Sequence, residues 1–241
     1  MQILRLLKEQ CLNYEKSSPL NMVFIGDSVT HGAFECYITE NNKIGVYYDF
    51  EAVFHSRLKR YLNMIFPAAR INIINAGISG DDSKHGLERL KRDVVSYSPG
   101  LVVVCFGLND VQKGIPGIES YTNSLQGIFK ILCENQIETI FLTPNMLNTY
   151  VSKSIKDDML MEIAQKTSEL QNNGVMDLYM EAARDICSSE AMQICDCYKI
   201  WNKLHASGAD VTSLLSNYIN HPTREMHDIF AFSLFKTILD I

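Results

Sequence analysis

The sequence predicts an α/β fold built on a parallel sheet, and three observations support it. Short apolar runs alternate with segments of helical period, the pattern of repeated βαβ units. The runs are rich in Val, Ile and Leu, which suits strands covered on both faces. A chain of 241 residues, 46% of them hydrophobic and 21% charged, is long enough to bury the core of one such domain.

The strands are expected at residues 22–25, 71–75, 101–106 and 139–143, with a weaker fifth at 175–178. Helices are expected between them at 52–65, 85–95, 123–135 and 154–170. Leu125, Ile128, Phe129 and Leu132 form the apolar stripe of the third helix; Ile155, Met159, Ile163 and Leu170 form that of the fourth. A closing helix is announced by Pro222-Thr223 and carried by Met226, Ile229, Phe230, Leu234 and Ile238. Residues 1–16 read as an amphipathic helix, because Arg5, Lys8 and Glu9 interrupt the apolar positions that a secretory signal would need. No repeat or linker divides the chain, so 1–241 is expected to be a single domain. Residues 34–48, with Tyr37, Tyr47 and Tyr48, and 179–208, with Trp201, stand out as long insertions near a site.

Charge and cysteine usage narrow the partners. With 22 Lys+Arg against 28 Asp+Glu the formal net charge is −6, which disfavours nucleic acid and anionic membrane. The longest apolar run, residues 101–106, falls far short of the roughly 20 residues that cross a bilayer. A soluble, cytoplasmic protein is expected. The seven cysteines are scattered and odd in number, consistent with reduced thiols. Cys187, Cys195 and Cys197 lack the paired spacing of a zinc site, so no metal and no cofactor is expected.

Chemistry gathers where the expected strands end. In an open parallel sheet, ligands bind beyond the carboxyl ends of the strands. Gly26-Asp27-Ser28 ends the first strand, and a serine there faces that crevice with helix N–H groups nearby. The second strand runs into 75–83, whose Gly77 and Gly80 allow backbone N–H groups to turn inward. Gly107-Leu108-Asn109-Asp110 ends the third, and the Asn109 amide is an uncharged donor suited to an oxyanion. Near the C-terminus, His221-Pro222 enters a helix, where the positive helix end keeps an imidazole neutral and able to accept a proton. Each motif alone has an ordinary explanation as a cap, turn or structural residue; their convergence on one sheet edge is what is specific.

In order, these four motifs resemble the SGNH hydrolases, the GDSL lipase/esterase family, over nearly the whole chain. The resemblance implies a three-layer α/β/α sandwich with a five-stranded parallel sheet in the flavodoxin-like order 2-1-3-4-5. It also implies cofactor-free hydrolysis of a small-molecule ester, with an acetyl group on a carbohydrate as the attractive substrate. Ser28 would attack, His221 would act as base, and the Ser28 and Gly80 N–H groups with the Asn109 amide would hold the oxyanion. Asp27 and His31, beside the nucleophile, are candidate substrate-binding residues. One departure stands out: the family places an aspartate three residues before the histidine, where this chain has Tyr218. The imidazole's acceptor is then a backbone carbonyl or a carboxylate from elsewhere, with Asp210 nearest upstream and Asp177 and Asp196 further away. The same departure motivates a second expectation, a protein of this shape that binds with little turnover.

Overall fold

The computed structural model describes residues 2–241, so Met1 of the expected N-terminal helix lies outside the described residues. The chain runs α1 (Gln2–Leu12), β1 (Leu20–Gly26), α2 (Ser28–His31), β2 (Ala33–Ile38), β3 (Ile44–Tyr48), α3 (Phe54–Ile65), β4 (Ile71–Gly77) and α4 (Ser83–Asp93). It continues through β5 (Leu101–Cys105), α5 (Ile118–Glu134), β6 (Thr139–Leu142), α6 (Asp158–Asn172), α7 (Val175–Ser189), β7 (Gln193–Cys195), α8 (Cys197–Ala206) and α9 (His227–Leu239). The main sheet has five strands in the order β4-β1-β5-β6-β7, all paired in parallel, which is the expected 2-1-3-4-5.

Helices cover both faces of the sheet. α3 packs on α9, with α1 and α8 beside it, while α4, α5, α7 and α6 pack in succession on the other side. β5 sits in the middle, and every residue of Leu101–Cys105 is buried. Full burial of a Val or Leu side chain is worth about 1.5–3 kcal/mol, so the continuous apolar run both fixes this strand and anchors the turn that carries Asn109. No helix among the described residues is long and apolar enough to cross a membrane.

Three expectations need correction. Residues 175–178 are not a strand; they open α7, whose Val175, Met176, Tyr179, Met180, Ala183 and Cys187 are buried at helical spacing. A short apolar run does not by itself distinguish a strand from the start of a helix, and here the period of the residues after it decides. The fifth strand is instead Gln193–Cys195, three residues paired with Ile140–Leu142. Residues 179–208 are therefore not an insertion near the site: they supply most of α7, the edge strand and α8. Residues 34–48 do form an extra element, the antiparallel hairpin of β2 and β3, which leaves the main sheet directly after β1 and α2. The closing helix starts at His227 rather than near Pro222, because Pro222 is bridged to Leu215 in an extended segment.

Candidate active site

The end of β1 is shaped for a serine. A Cβ at Gly26 would collide with Thr30 Oγ1 and the Cys105 carbonyl, so only glycine lets the strand pass this close to its neighbours. Asp27 then caps the short helix α2, its carboxylate accepting the Val29 N–H at 2.9 Å. Ser28 occupies the first helical position, where the N–H has no partner within the helix. Its side chain is held at the carboxyl edge of the sheet, facing the segment that carries His221.

That segment is organised by Asn217. Its side-chain oxygen accepts the N–H groups of Ile219, Asn220 and His221 at 3.0, 2.9 and 2.9 Å, and its amide donates to Asn220 Oδ1 at 2.9 Å. The turn needs Tyr218 at φ +57°, and the Tyr218 side chain packs against a small cluster with Ile155, Ala164 and Ile219. His221 Nε2 lies 2.9 Å from Ser28 Oγ, and Nδ1 lies 2.7 Å from the Phe34 carbonyl oxygen. A carbonyl only accepts, so Nδ1 carries the proton and donates to it, and Nε2 is left as the acceptor for the serine hydroxyl. Burial pushes the imidazole down to about 4, opposed in part by the Phe34 hydrogen bond and the Glu35 charge. The ring is neutral at physiological pH.

Donors border the same place. Gly80 lies in the turn closed by the Asp81 N–H to the Ile78 carbonyl, with φ +83°, and its own N–H has no partner among the described residues. Asn109 donates one amide hydrogen to the Asp81 carbonyl at 2.7 Å, which orients the group and leaves the second hydrogen free. Arg89 holds this edge together. It is buried, and it donates to Asp81 Oδ2 at 2.7 Å, to the Ala76 carbonyl at 2.7 Å and to the Gly26 carbonyl at 3.1 Å. Behind it, Ser83 donates to Asp110 through both its hydroxyl (2.6 Å) and its N–H (3.1 Å).

Ser28, Gly80, Asn109 and His221 all line one cavity of about 640 Å³. The hairpin forms a wall of it through Cys36, Tyr37, Val46 and Tyr48, and α6 adds Leu160 and Ile163. Three candidates lie elsewhere. Asp27 is fully buried in its cap, with its carboxyl pushed up to about 7 by burial, and does not line the cavity. His31 faces Ser79 at 3.3 Å and packs its ring, tilted, 4.5 Å from that of Tyr48 in the cavity wall. Asp210 does not meet the imidazole: its carboxylate accepts from Tyr150 Oη at 2.8 Å and from the Ser213 N–H at 3.2 Å. Asp177 and Asp196 are likewise engaged, with Tyr198 Oη at 2.9 Å and Arg184 Nε at 2.9 Å. Trp201 is buried in the core, as are His55 and His227. Asp81, Asp82 and His85 lie close enough together to hold a cation, but Arg89 and Lys113 already neutralise the two carboxylates at 2.7 and 2.6 Å.

The residues that sequence reasoning missed are Phe34, Asn217 and Arg89. A backbone acceptor leaves no signature in residue type, so Phe34 had none to offer. Asn217, just upstream of the histidine, carried a faint one as an Asx-turn residue.

Known esterases resemble this chain in sequence and in fold. The arylesterase of Vibrio mimicus is 26% identical over 111 residues, 46% of this chain and 54% of that protein. The acetylxylan esterase of Geobacillus stearothermophilus is 28% identical over 92 residues, 38% of this chain and 40% of that protein. The chain thus spans about half the length, or less, of these curated relatives. Among solved structures, Axe2, an acetylxylan esterase from Geobacillus stearothermophilus, superposes with a TM-score of 0.65 at 20% identity, covering 92% of this chain and 95% of its own. A two-domain esterase active on acetylated mannans superposes with a TM-score of 0.67 at 18% identity, covering 98% of this chain and 53% of its own. The model of the GDSL-like lipase/acylhydrolase family matches residues 24–229, and the chain belongs to that family.

Proposed function

We propose that the protein is a serine esterase that hydrolyses small acyl esters, with an O-acetylated carbohydrate as the substrate class. The observation that carries this is the Ser28 Oγ–His221 Nε2 distance of 2.9 Å, with the opposite ring nitrogen held 2.7 Å from a carbonyl. Nucleophile and base are within reach, and the tautomer is the one a base requires.

Ser28 Oγ attacks the ester carbonyl while its proton passes to His221 Nε2. The oxyanion is received by the N–H groups of Ser28 and Gly80 and by the free amide hydrogen of Asn109. On collapse the bond to the alcohol breaks, and His221 returns the proton to the departing oxygen. Water, giving its proton to the same Nε2, then attacks the acyl carbonyl; the bond to Ser28 Oγ breaks, His221 passes the proton to that oxygen, and the acid leaves. The Phe34 carbonyl keeps the ring in register but brings no full negative charge to offset the imidazolium. Turnover is therefore expected below that of a triad with an aspartate.

The cavity and the relatives support the substrate class. Ser79, Gln112, Asn217 and Asn220 line it together with Tyr37 and Tyr48, a mixture of hydrogen-bonding groups and aromatic faces suited to a sugar. A palmitoyl chain would strip water from those polar groups without replacing it. The relatives named as arylesterase and acetylxylan esterase point to the same chemistry.

A fluorophosphonate probe is expected to label the wild type and not Ser28→Ala. In a panel of p-nitrophenyl esters, acetate or butyrate is expected to exceed palmitate, and an acetylated sugar to release acetate. Absence of labelling together with inertness on every ester would favour the binding-protein reading that Tyr218 motivates. Preference for palmitate would move the substrate towards lipids.

A further inference from the structure

The acceptor for His221 sits in an irregular stretch of backbone. The β2–β3 ladder pairs Ala33 with Tyr48 and Cys36 with Val46, and its register shifts between them. Phe34 and Glu35 fall within that bulge, so the ladder does not fix the direction of the Phe34 carbonyl. A bulge re-aims the chain, and something else must then hold it.

Arg224, three residues after His221, reaches across to do so. Its Nη1 and Nη2 donate to the two carboxylate oxygens of Glu35 at 2.5 and 3.1 Å, and its Nε donates to Asp49 Oδ2 at 3.0 Å. The guanidinium carbon also lies 4.3 Å from the centre of the Phe34 ring. Asp49 in turn donates its N–H to the Gly32 carbonyl at 3.0 Å, closing the base of the hairpin. One planar cation thus joins the bulged strand, the end of its partner and the segment that carries the imidazole. Only a rigid fork with several donors makes these contacts at once.

We propose that Arg224 is a positioning residue for the His221 base, and that by bridging Glu35 and Asp49 it aims the Phe34 carbonyl at the imidazole. The proposal rests on the Ser28–His221 reading above. Arg224 takes over part of the task an aspartate at position 218 would perform, using a second piece of chain in place of a carboxylate.

The charges around the ring make the proposal testable by sign. Glu35 and Cys36 approach it from β2, Asp49 stands beyond β3, Asp27 lies beside Ser28, and Arg224 and His227 belong to its own segment. The Glu35 charge favours the imidazolium, and Arg224 offsets that charge. Arg224→Ala leaves Glu35 uncompensated and raises the pH at which His221 titrates. Glu35→Gln leaves at most one of the two acceptor oxygens and removes the negative charge, and lowers it.

The test monitors the His221 ring by NMR, which needs no turnover, alongside kcat and KM on p-nitrophenyl acetate. Both variants are expected to lower kcat about 10- to 100-fold with KM within about 3-fold, the range for a misplaced catalytic group. The ring titration is expected to move up by about half a pH unit or more in Arg224→Ala and down in Glu35→Gln. Arg224→Lys should restore thermal stability but only part of kcat, since an ammonium does not span both carboxylates. Shifts in the same direction, or kcat and titration both unchanged in either variant, would overturn the proposal. Should Arg224→Ala fail to fold, Glu35→Gln carries the test alone. Variants whose ring titrations shift as described, in a protein whose wild type cleaves no ester, would sink the esterase reading and leave the clamp standing.

Discussion

The two halves of the site are built differently. At the end proposed to hold the nucleophile, Ser28, Gly80 and Asn109 sit on turns that leave β1, β4 and β5, adjacent strands whose spacing the sheet ladder fixes. Arg89 ties those strand ends together through two backbone carbonyls and Asp81. At the base end no ladder helps. His221 hangs on a turn wrapped around one asparagine and points into a bulged hairpin outside the main sheet. Geometry that the sheet supplies needs little from individual side chains. Geometry supplied by a turn and a bulge has to be assembled from particular ones, which is why Asn217, Phe34 and Arg224 gather there.

The nucleophile end gives the largest effect outside Ser28 itself. Asn109→Ala removes one of three donors and is expected to lower kcat about 100- to 1,000-fold, with KM little changed. Asn109 also donates to the Asp81 carbonyl at 2.7 Å, so a stability cost of about 1 kcal/mol should accompany it, small beside the kinetic loss. Denaturant midpoints measured with the rates separate the two. Turnover near wild type would remove Asn109 from the oxyanion site and with it the symmetry of that end.

The same division explains what could be read in the sequence. Strand-end motifs are local: Gly26-Asp27-Ser28 and Gly107-Leu108-Asn109 carry strand, turn and functional group in consecutive residues, so the sheet order and the candidate groups of the nucleophile end were legible together. His221 was legible as a residue but not in its surroundings, because its acceptor is a main-chain atom 187 positions away. The edge strand Gln193–Cys195 escaped notice because three residues are too few to show a period, while the true start of α7 mimicked a strand. Asp27 and His31, expected at the site, fall outside the cavity lining for a related reason. Adjacency to Ser28 in sequence says nothing about which face a short helix presents to the cavity.

A pH profile sharpens the comparison from the base end. The proposed base, His221, can accept a proton only when neutral, and burial holds its ring at about 4. The acid limb of kcat/KM is therefore expected near pH 4, with activity flat from about pH 6 to 8. Stability complicates the lower part. His55, His221 and His227 are pushed down by burial to about 4, 4 and 3, so the stability linked to each is complete above their ordinary value of 6.5 and is lost as pH falls through those values. Each contributes a slope of about 1.4 kcal/mol per pH unit where the unfolded state binds the proton and the folded state does not. Asp27, pushed up to about 7, works the other way: its stabilising share is present below its ordinary value of 3.8 and is lost as pH rises through 7. Thermal midpoints from pH 4 to 8 alongside initial rates distinguish a titrating base from an unfolding protein. An acid limb near pH 6.5 in a folded enzyme would show that the ring is not buried as described.

The smallest expected effect is also the sharpest test of how the base end is assembled. Asp210 stands eleven residues before His221, the natural place to look for a triad acid once Tyr218 is seen. Its carboxylate instead accepts from Tyr150 Oη at 2.8 Å and caps the turn at Val211–Leu214 through the Ser213 N–H at 3.2 Å. Asparagine preserves the shape: its Oδ1 can accept the Ser213 N–H, its Nδ2 can donate to Tyr150 Oη, and as a cap it ranks beside aspartate. Asp210→Asn should therefore change kcat by less than about 2-fold and stability by less than about 1 kcal/mol. An aspartate that held the imidazole would behave otherwise, because the amide favours the wrong tautomer and costs about 10,000-fold. The two expectations differ by orders of magnitude in one rate measurement. A large loss would mean that the C-terminal segment supplies its own acid in solution, that the hairpin merely lies against the ring, and that the base end is no more composite than the nucleophile end.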